Sequence, residues 1–206
     1  MKRIYTYTMM VLLTAMSATF TSCETTDTDM AMALSGQWQG DFGMYYNYEY
    51  RGRVYTFDSY DTDIVFYPEY RYARYGWGKQ VDYYEYGPYE YQYYKFYWEI
   101  VDGEIFLTYP YAPELNTSIM DYHLTNSYFS GWFTNADTRF VLHKLVDFYD
   151  WGPYTNDYSY GARGGWDDYY DGPYYYAPTR SDGETETVST SEGKIVKRGN
   201  RFSESK

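Results

Sequence analysis

Apolar and polar residues alternate with a period of two over much of the stretch from residue 33 to 147. Phe96, Trp98 and Ile100 interleave with Tyr97 and Glu99, and Ile105 and Leu107 resume the inward face after Asp102-Gly103. Such alternation marks a strand with one buried face, and Asp-Gly is a dipeptide that closes two-residue hairpins. Further strands are expected over residues 36–44, 62–67, 70–77, 119–125, 127–134 and 138–145. Turns fall at Pro68-Glu69 and Thr125-Asn126, and Phe140 and Leu142 share a face of the last strand. Beyond residue 22 no segment keeps a sustained helical period; a short helix is expected at 30–34. About eight short strands joined by tight turns predict an all-β fold. The expected form is an antiparallel up-and-down meander that hides its edges by closing into a barrel.

The first residues follow another pattern. Lys2 and Arg3 precede an apolar run, 9–16, and the small residues Thr21 and Ser22 precede Cys23, the only cysteine. The run is shorter than the roughly 20 residues that span a bilayer, and its parts are those of a signal peptide. With Cys23 directly after them, they resemble the lipobox of bacterial lipoproteins. That resemblance implies cleavage after residue 22, lipidation of Cys23 and an outer-membrane location. Residues 24–29 are acidic and polar and read as a tether within 23–32. Acidic residues at this place also resemble a surface-export signal of some lipoproteins; a plain linker is the other reading.

Charge narrows the partners. The chain has 17 Lys and Arg against 29 Asp and Glu, net −12, and loss of the leader removes two cations. Such a surface disfavours nucleic acid and anionic lipid. The aromatic content, 33 Tyr, 11 Phe and 6 Trp, stands out. Tyrosine forms strands readily and combines an apolar face with a polar tip. The core is therefore expected to be aromatic, with many hydroxyls reaching the surface.

Leu34-Ser35-Gly36-Gln37-Trp38-Gln39-Gly40 resembles the Gly-x-Trp opening of lipocalin-like domains. Trp98 to Tyr109 is similar to the central hairpin of such domains in bacterial lipoproteins. The resemblance covers residues 33–147. It implies that Trp38, entered through Gly36, plugs the closed end of the barrel, with a basic side chain of a late strand, Arg139, across it. A barrel of about eight strands has room for side chains or for one small ligand, and a binding module predicts a cavity lined by Phe66, Trp98 and Leu107. The long segment 81–94, rich in tyrosine, departs from the family pattern as an insert.

Beyond residue 147 the composition shifts. Gly-Pro-Tyr occurs at 152–154 and 172–174, and at 87–89 within the insert. Residues 148–180 are read as an aromatic, loop-like extension, and 181–206 as a polar tail expected to be disordered.

Catalytic chemistry is thinly represented. His123 and His143 lie on expected strands separated by one other, and Asp121 is placed on the face of His123, but firm zinc sites use three or four ligands. Acid pairs such as Asp167-Asp168 and Asp61/Asp63 are too common in this chain to single out a glycosidase dyad. A nucleophile elbow, a phosphate-cradling loop and a Cys-x-x-Cys pair are all missing from the sequence. The expectation is a non-enzymatic protein without metal or cofactor. Its partners are the membrane through the anchor and an apolar small molecule or a glycan. Candidate contacts are Tyr84, Tyr86, Tyr89, Tyr91, Trp98 and Trp166, since sugar rings stack on Tyr and Trp faces. The alternative is a structural role in which tyrosine-rich segments bind another envelope protein, because aromatics are also enriched at interfaces.

Overall fold

The computed structural model describes residues 26–134, 139–146, 149–162 and 193–201; the leader, Cys23 and Trp166 lie outside them. The elements run α1 (Asp27–Leu34), β1 (Gly36–Asp41), β2 (Met44–Tyr50), β3 (Arg53–Pro68), β4 (Tyr75–Tyr84), β5 (Tyr89–Val101) and β6 (Glu104–Thr108). A 3-10 turn at Pro113–Leu115 leads to β7 (Thr117–Leu124), β8 (Tyr128–Phe133), β9 (Arg139–Lys144), β10 (Tyr158–Ala162) and β11 (Lys194–Asn200).

The fold is all-β, and an antiparallel meander closes into a lipocalin-like barrel of eight strands, β1 and β3 to β9. Closure runs through β1, which pairs with β3 (Gly36↔Phe66 to Gly40↔Thr62) and with β9 (Trp38↔Lys144 to Asp41↔Val141). Asp102-Gly103 forms the expected tight turn, with φ of 50° and 80°; Arg51-Gly52, at 50° and 75°, closes another. Positive φ at both central residues gives the turn a twist that matches the strands it joins.

Two hairpins are longer than the barrel is tall, and they build a second storey on it. β1 and β2 form a nearly continuous strand along β3, interrupted at Phe42-Gly43, where residues 36–44 were expected to run unbroken. β2 pairs with the first half of β3 (Tyr45↔Asp58 to Tyr50↔Arg53). The other edge of β2 takes β11. Opposite, the first half of β5 takes β10 (Tyr158↔Tyr94). The upper storey is thus an open sheet, β11-β2-β3-β4-β5-β10. The insert at 81–94 is its central hairpin.

Three expectations change here. Residues 194–200, in the tail expected to be disordered, form β11: the open edge of β2 supplies backbone partners that hydrophobicity does not reveal. In the extension 148–180, residues 158–162 are a strand. Residues 27–32, read as tether, belong to α1. A capping box starts this helix: the Asp29 amide donates to Thr26 Oγ1 (3.3 Å), and the Thr26 amide donates to Asp29 Oδ2 (3.2 Å). Its Ala31 and Leu34 are buried in the barrel core, and Asp27 accepts from the Gly103 amide at 2.9 Å.

The barrel core is almost wholly hydrocarbon and ring: Trp38, Ile64, Phe66, Phe96, Leu107 and Phe140 are each at most 1% exposed. Phe66 meets Phe96 and Trp98 edge to face, at 5.4 and 6.0 Å between centroids. The upper storey packs instead on Tyr46, Tyr48, Phe57 and Tyr84. Between the two lies a polar layer. Asp82 accepts from Thr62 Oγ1 (2.7 Å) and Gln80 Nε2 (2.9 Å), and Gln80 in turn accepts from the Tyr109 hydroxyl (2.7 Å).

Candidate functional site

Gly36 opens β1 and Trp38 follows two residues on. Gly36 has φ of 117°, and a Cβ there would lie 2.9 Å from Lys144 Cε. Trp38 is fully buried and donates from Nε1 to the Leu34 carbonyl at 2.7 Å. The cation over its ring is Lys144, with Nζ 4.8 Å from the centroid. Arg139 was the residue expected in that role; it stands opposite Trp132 at the other end of β9, exposed. The register decides it: Trp38 pairs with Lys144 on β9.

Phe66, Trp98 and Leu107 point inward, as the alternation requires, and pack against each other and their neighbours as core. Trp98 is therefore core, its Nε1 shared by the Trp77 and Tyr67 carbonyls at 3.2 and 3.3 Å. A cleft of about 320 Å³ remains at the barrel rim among Phe42, Met44, Tyr109, Leu115, Phe133 and Asn200. It is at the small end of ligand pockets, which run from roughly 300 to 1,000 Å³.

The roomier concavities lie outside, on the upper storey. One, of about 510 Å³, runs from Tyr55 and Asp58 past Tyr60 to Glu85, Tyr86 and Arg201. A second, of about 520 Å³, continues from Tyr60 and Glu85 to Tyr83, Tyr84, Glu90 and Tyr91. Sharing Tyr60 and Glu85, they make one shallow groove across β3, β4 and the β4–β5 turn. Tyr60 and Tyr86 are 62% and 57% exposed, and the Tyr60 and Tyr83 centroids are 6.3 Å apart.

Four of the candidate tyrosines divide cleanly. Tyr86 and Tyr91 face the groove. Tyr84 lines its floor while packing edge to face on Tyr46 at 4.7 Å. Tyr89 packs in the upper storey against Tyr46, Tyr48 and Tyr160. Sequence reasoning missed Tyr55, Tyr60, Asp58 and Arg201. Tyr60 carries a usable signal: it is an aromatic in the polar run Asp58-Ser59-Tyr60-Asp61.

Behind the groove, residues 149–154 lie across the outer face of β3 to β5. Trp151 packs with Val65, Val81 and Tyr93, Tyr154 stacks on Tyr93 at 5.0 Å, and Lys79 Nζ donates to the Tyr154 carbonyl at 2.9 Å. The Tyr83 and Tyr149 hydroxyls hydrogen-bond to each other. Burial pushes the Asp63 carboxyl up to about 6, against the Tyr83 hydroxyl, which favours its charged form. Burial also raises Tyr91 and Tyr83, so both groove phenols stay neutral and can donate.

Among the described residues no group of three His, Cys, Asp or Glu stands together to hold a metal ion. His123 and His143 flank the Tyr128 ring, at 5.9 and 5.6 Å. A bulge before His123, with Asp121 at φ 47°, breaks the shared face expected of those two residues. No described helix is long and apolar enough to cross a membrane. Comparison with protein-family models, curated proteins and solved structures returns no match.

Proposed function

We propose that the protein is a lipid-anchored, non-enzymatic binding module of the cell envelope, and that its ligand is a glycan held in the groove on the outer face of the upper storey. The observation that carries this reading is one groove with exposed tyrosine rings and carboxylates, beside a barrel interior packed with side chains. A sugar ring offers C–H faces to a π-surface and hydroxyls to acceptors. Tyr60 and Tyr86 present the surface, and Asp58, Glu85 and Glu90 stand beside it. Rings with a negative face and carboxylates, with the lining cation Arg201 ion-paired to Asp41, disfavour anionic ligands and suit neutral, hydroxyl-rich ones. The anchor rests on the leader and Cys23.

Retention on a panel of starch, xylan, mannan and mixed-linkage β-glucan tests the groove. Wild type is expected to bind at least one, and Tyr60→Ala/Tyr86→Ala to lose it; both side chains are exposed, so the fold survives. Binding of none, or equal binding by the double variant, refutes the groove. For the anchor, Cys23→Ala is expected to move the protein from the membrane to the soluble fraction; continued membrane partitioning would refute lipidation there.

A further inference from the structure

The outer face of β3 to β5 carries a second aromatic surface that the groove does not use. Tyr67 and Trp77 lie against each other, centroids 4.4 Å apart and planes at 32°. Tyr97 stands directly opposite Trp77 in the β4–β5 register and is 52% exposed. Tyr111, from the β6–β7 connection, is 61% exposed beside it. The opposite wall of the barrel differs. Outward residues on β7 to β9 include Met120, Asp121, His123, Arg139 and Val141, with Tyr128 and a half-buried Trp132 as the rings there. The face of β3 to β5 carries the larger cluster of exposed rings.

The two surfaces are in line. Tyr83 and Trp77 share the outer face of β4, six residues apart, and Tyr91 and Tyr97 share that of β5 with the same spacing. At about 3.3 Å per residue the separation is roughly 20 Å. Between them lie the backbone of residues 149–154 and Lys79 beneath it. The cations at the second surface are engaged: Lys79 by the Tyr154 carbonyl (2.9 Å), Lys95 by Asp157 (3.3 Å) and over the Trp77 ring (5.6 Å). Neither is left over to attract an anion, so this surface too favours a neutral ligand.

We infer that the Tyr67–Trp77–Tyr97–Tyr111 surface is a second subsite for the same ligand, which is therefore an extended neutral polysaccharide chain lying along β4 and β5 rather than a mono- or disaccharide. This rests on the groove being a glycan site. A chain long enough to touch both surfaces makes the second contact intramolecular, so affinity rises with chain length without any change at the first subsite.

The test uses the full chain, the retained polysaccharide of the panel, and disaccharide and longer fragments prepared from it. Tyr97→Ala/Tyr111→Ala removes two exposed rings and leaves the groove intact. We expect it to lower affinity for the polymer about tenfold or more, while disaccharide binding stays within about twofold of wild type. Wild type should bind the polymer more tightly than the disaccharide. If Tyr97→Ala/Tyr111→Ala binds the polymer like wild type while Tyr60→Ala/Tyr86→Ala does not bind, the second subsite is wrong and the groove stands. If no polysaccharide binds, or the groove variant binds normally, both readings fall.

Discussion

The two storeys of this molecule solve the same packing problem with different side chains. In the closed barrel each strand has a neighbour on both edges, and the interior is filled mainly by phenylalanine: Phe66 meets Phe96 and Phe129 meets Phe140 edge to face, and Phe133 lies tilted against Phe140. The upper sheet has two outer strands, β10 and β11, and its interior is tyrosine. Arg198 of β11 ties these strands together, donating to Tyr158 of β10 (2.6 Å), to Gln92 of β5 (3.1 Å) and to Glu114 (3.1 Å). Where backbone closure holds a sheet, hydrocarbon is enough. Where it does not, hydroxyls and a guanidinium replace it, and those groups bring titration and exposure with them.

The largest effect is expected in the closed storey. Phe96→Ala opens a cavity among Phe66, Gly78 and Tyr109, and cores of this kind lose about 3–5 kcal/mol on Phe→Ala. Denaturant melting should show one cooperative transition at a much lower midpoint. A loss below about 1 kcal/mol would mean that the barrel interior is loosely packed and the contrast between storeys is overstated.

Next comes the polar layer. Burial pushes the Asp82 carboxyl up to about 7, opposed by its hydrogen bonds from Thr62 and Gln80. Tyr84, Tyr94 and Tyr109 are held above their usual range by burial and by Asp82, with Arg198 the nearby cation. Between the carboxyl's unfolded value, near 4, and 7 the native state keeps a proton that the unfolded chain has lost. Stability should therefore fall as pH rises through that window and level off above it. The linkage is on the order of 4 kcal/mol at most. Asp82→Asn should remove the larger part of the slope, leaving the smaller fall that buried Asp63 contributes up to about pH 6, with its advantage over wild type greatest near pH 8. A wild-type profile already flat from pH 4 to 8 would remove the layer's electrostatic cost.

How much of this was legible follows the same division. In the barrel, alternation placed Phe96, Trp98, Ile105 and Leu107 inward, and Asp102-Gly103 marked its turn, because a closed sheet with a hydrocarbon inside writes a period of two into the chain. The upper storey writes no such pattern. β2 reads Met-Tyr-Tyr-Asn-Tyr-Glu-Tyr, and tyrosine, at home on either face, hides which side is buried. Tyr84 and Tyr89 were thus grouped with Tyr86 and Tyr91 although they pack differently. β11 was invisible because its order comes from an edge supplied more than a hundred residues earlier. The groove was half visible: the insert offered Tyr86 and Tyr91, whereas Tyr60 is brought to them only by the β3–β4 register.

Arg198 measures what holds the open storey. Arg198→Ala strands Glu114 and deprives Gln92 and Tyr158 of a partner, at about 1–3 kcal/mol for hydrogen bonds to a charged group. Amide exchange should accelerate in residues 194–200 and 158–162 and stay slow in β7 to β9, which share no partner with it. Uniform acceleration would show that the storeys unfold as one unit and that the division is only one of composition.

The smallest effect separates the two cations at opposite ends of β9. Lys144 donates to the Ala33 carbonyl (3.1 Å) and sits over Trp38, fastening the end of α1 to the last barrel strand. Lys144→Ala removes one cation–π contact and one hydrogen bond, together about 1 kcal/mol. Arg139→Ala, on an exposed side chain at the far end of β9, should change stability by less than about 0.5 kcal/mol. Chemical denaturation of the two variants side by side resolves the difference. If Arg139→Ala proves the costlier, the β1–β9 register that sets Lys144 against Trp38 is wrong, and with it the pairing that closes the barrel. A modest surface measurement therefore tests the feature that most sharply distinguishes the lower storey from the upper.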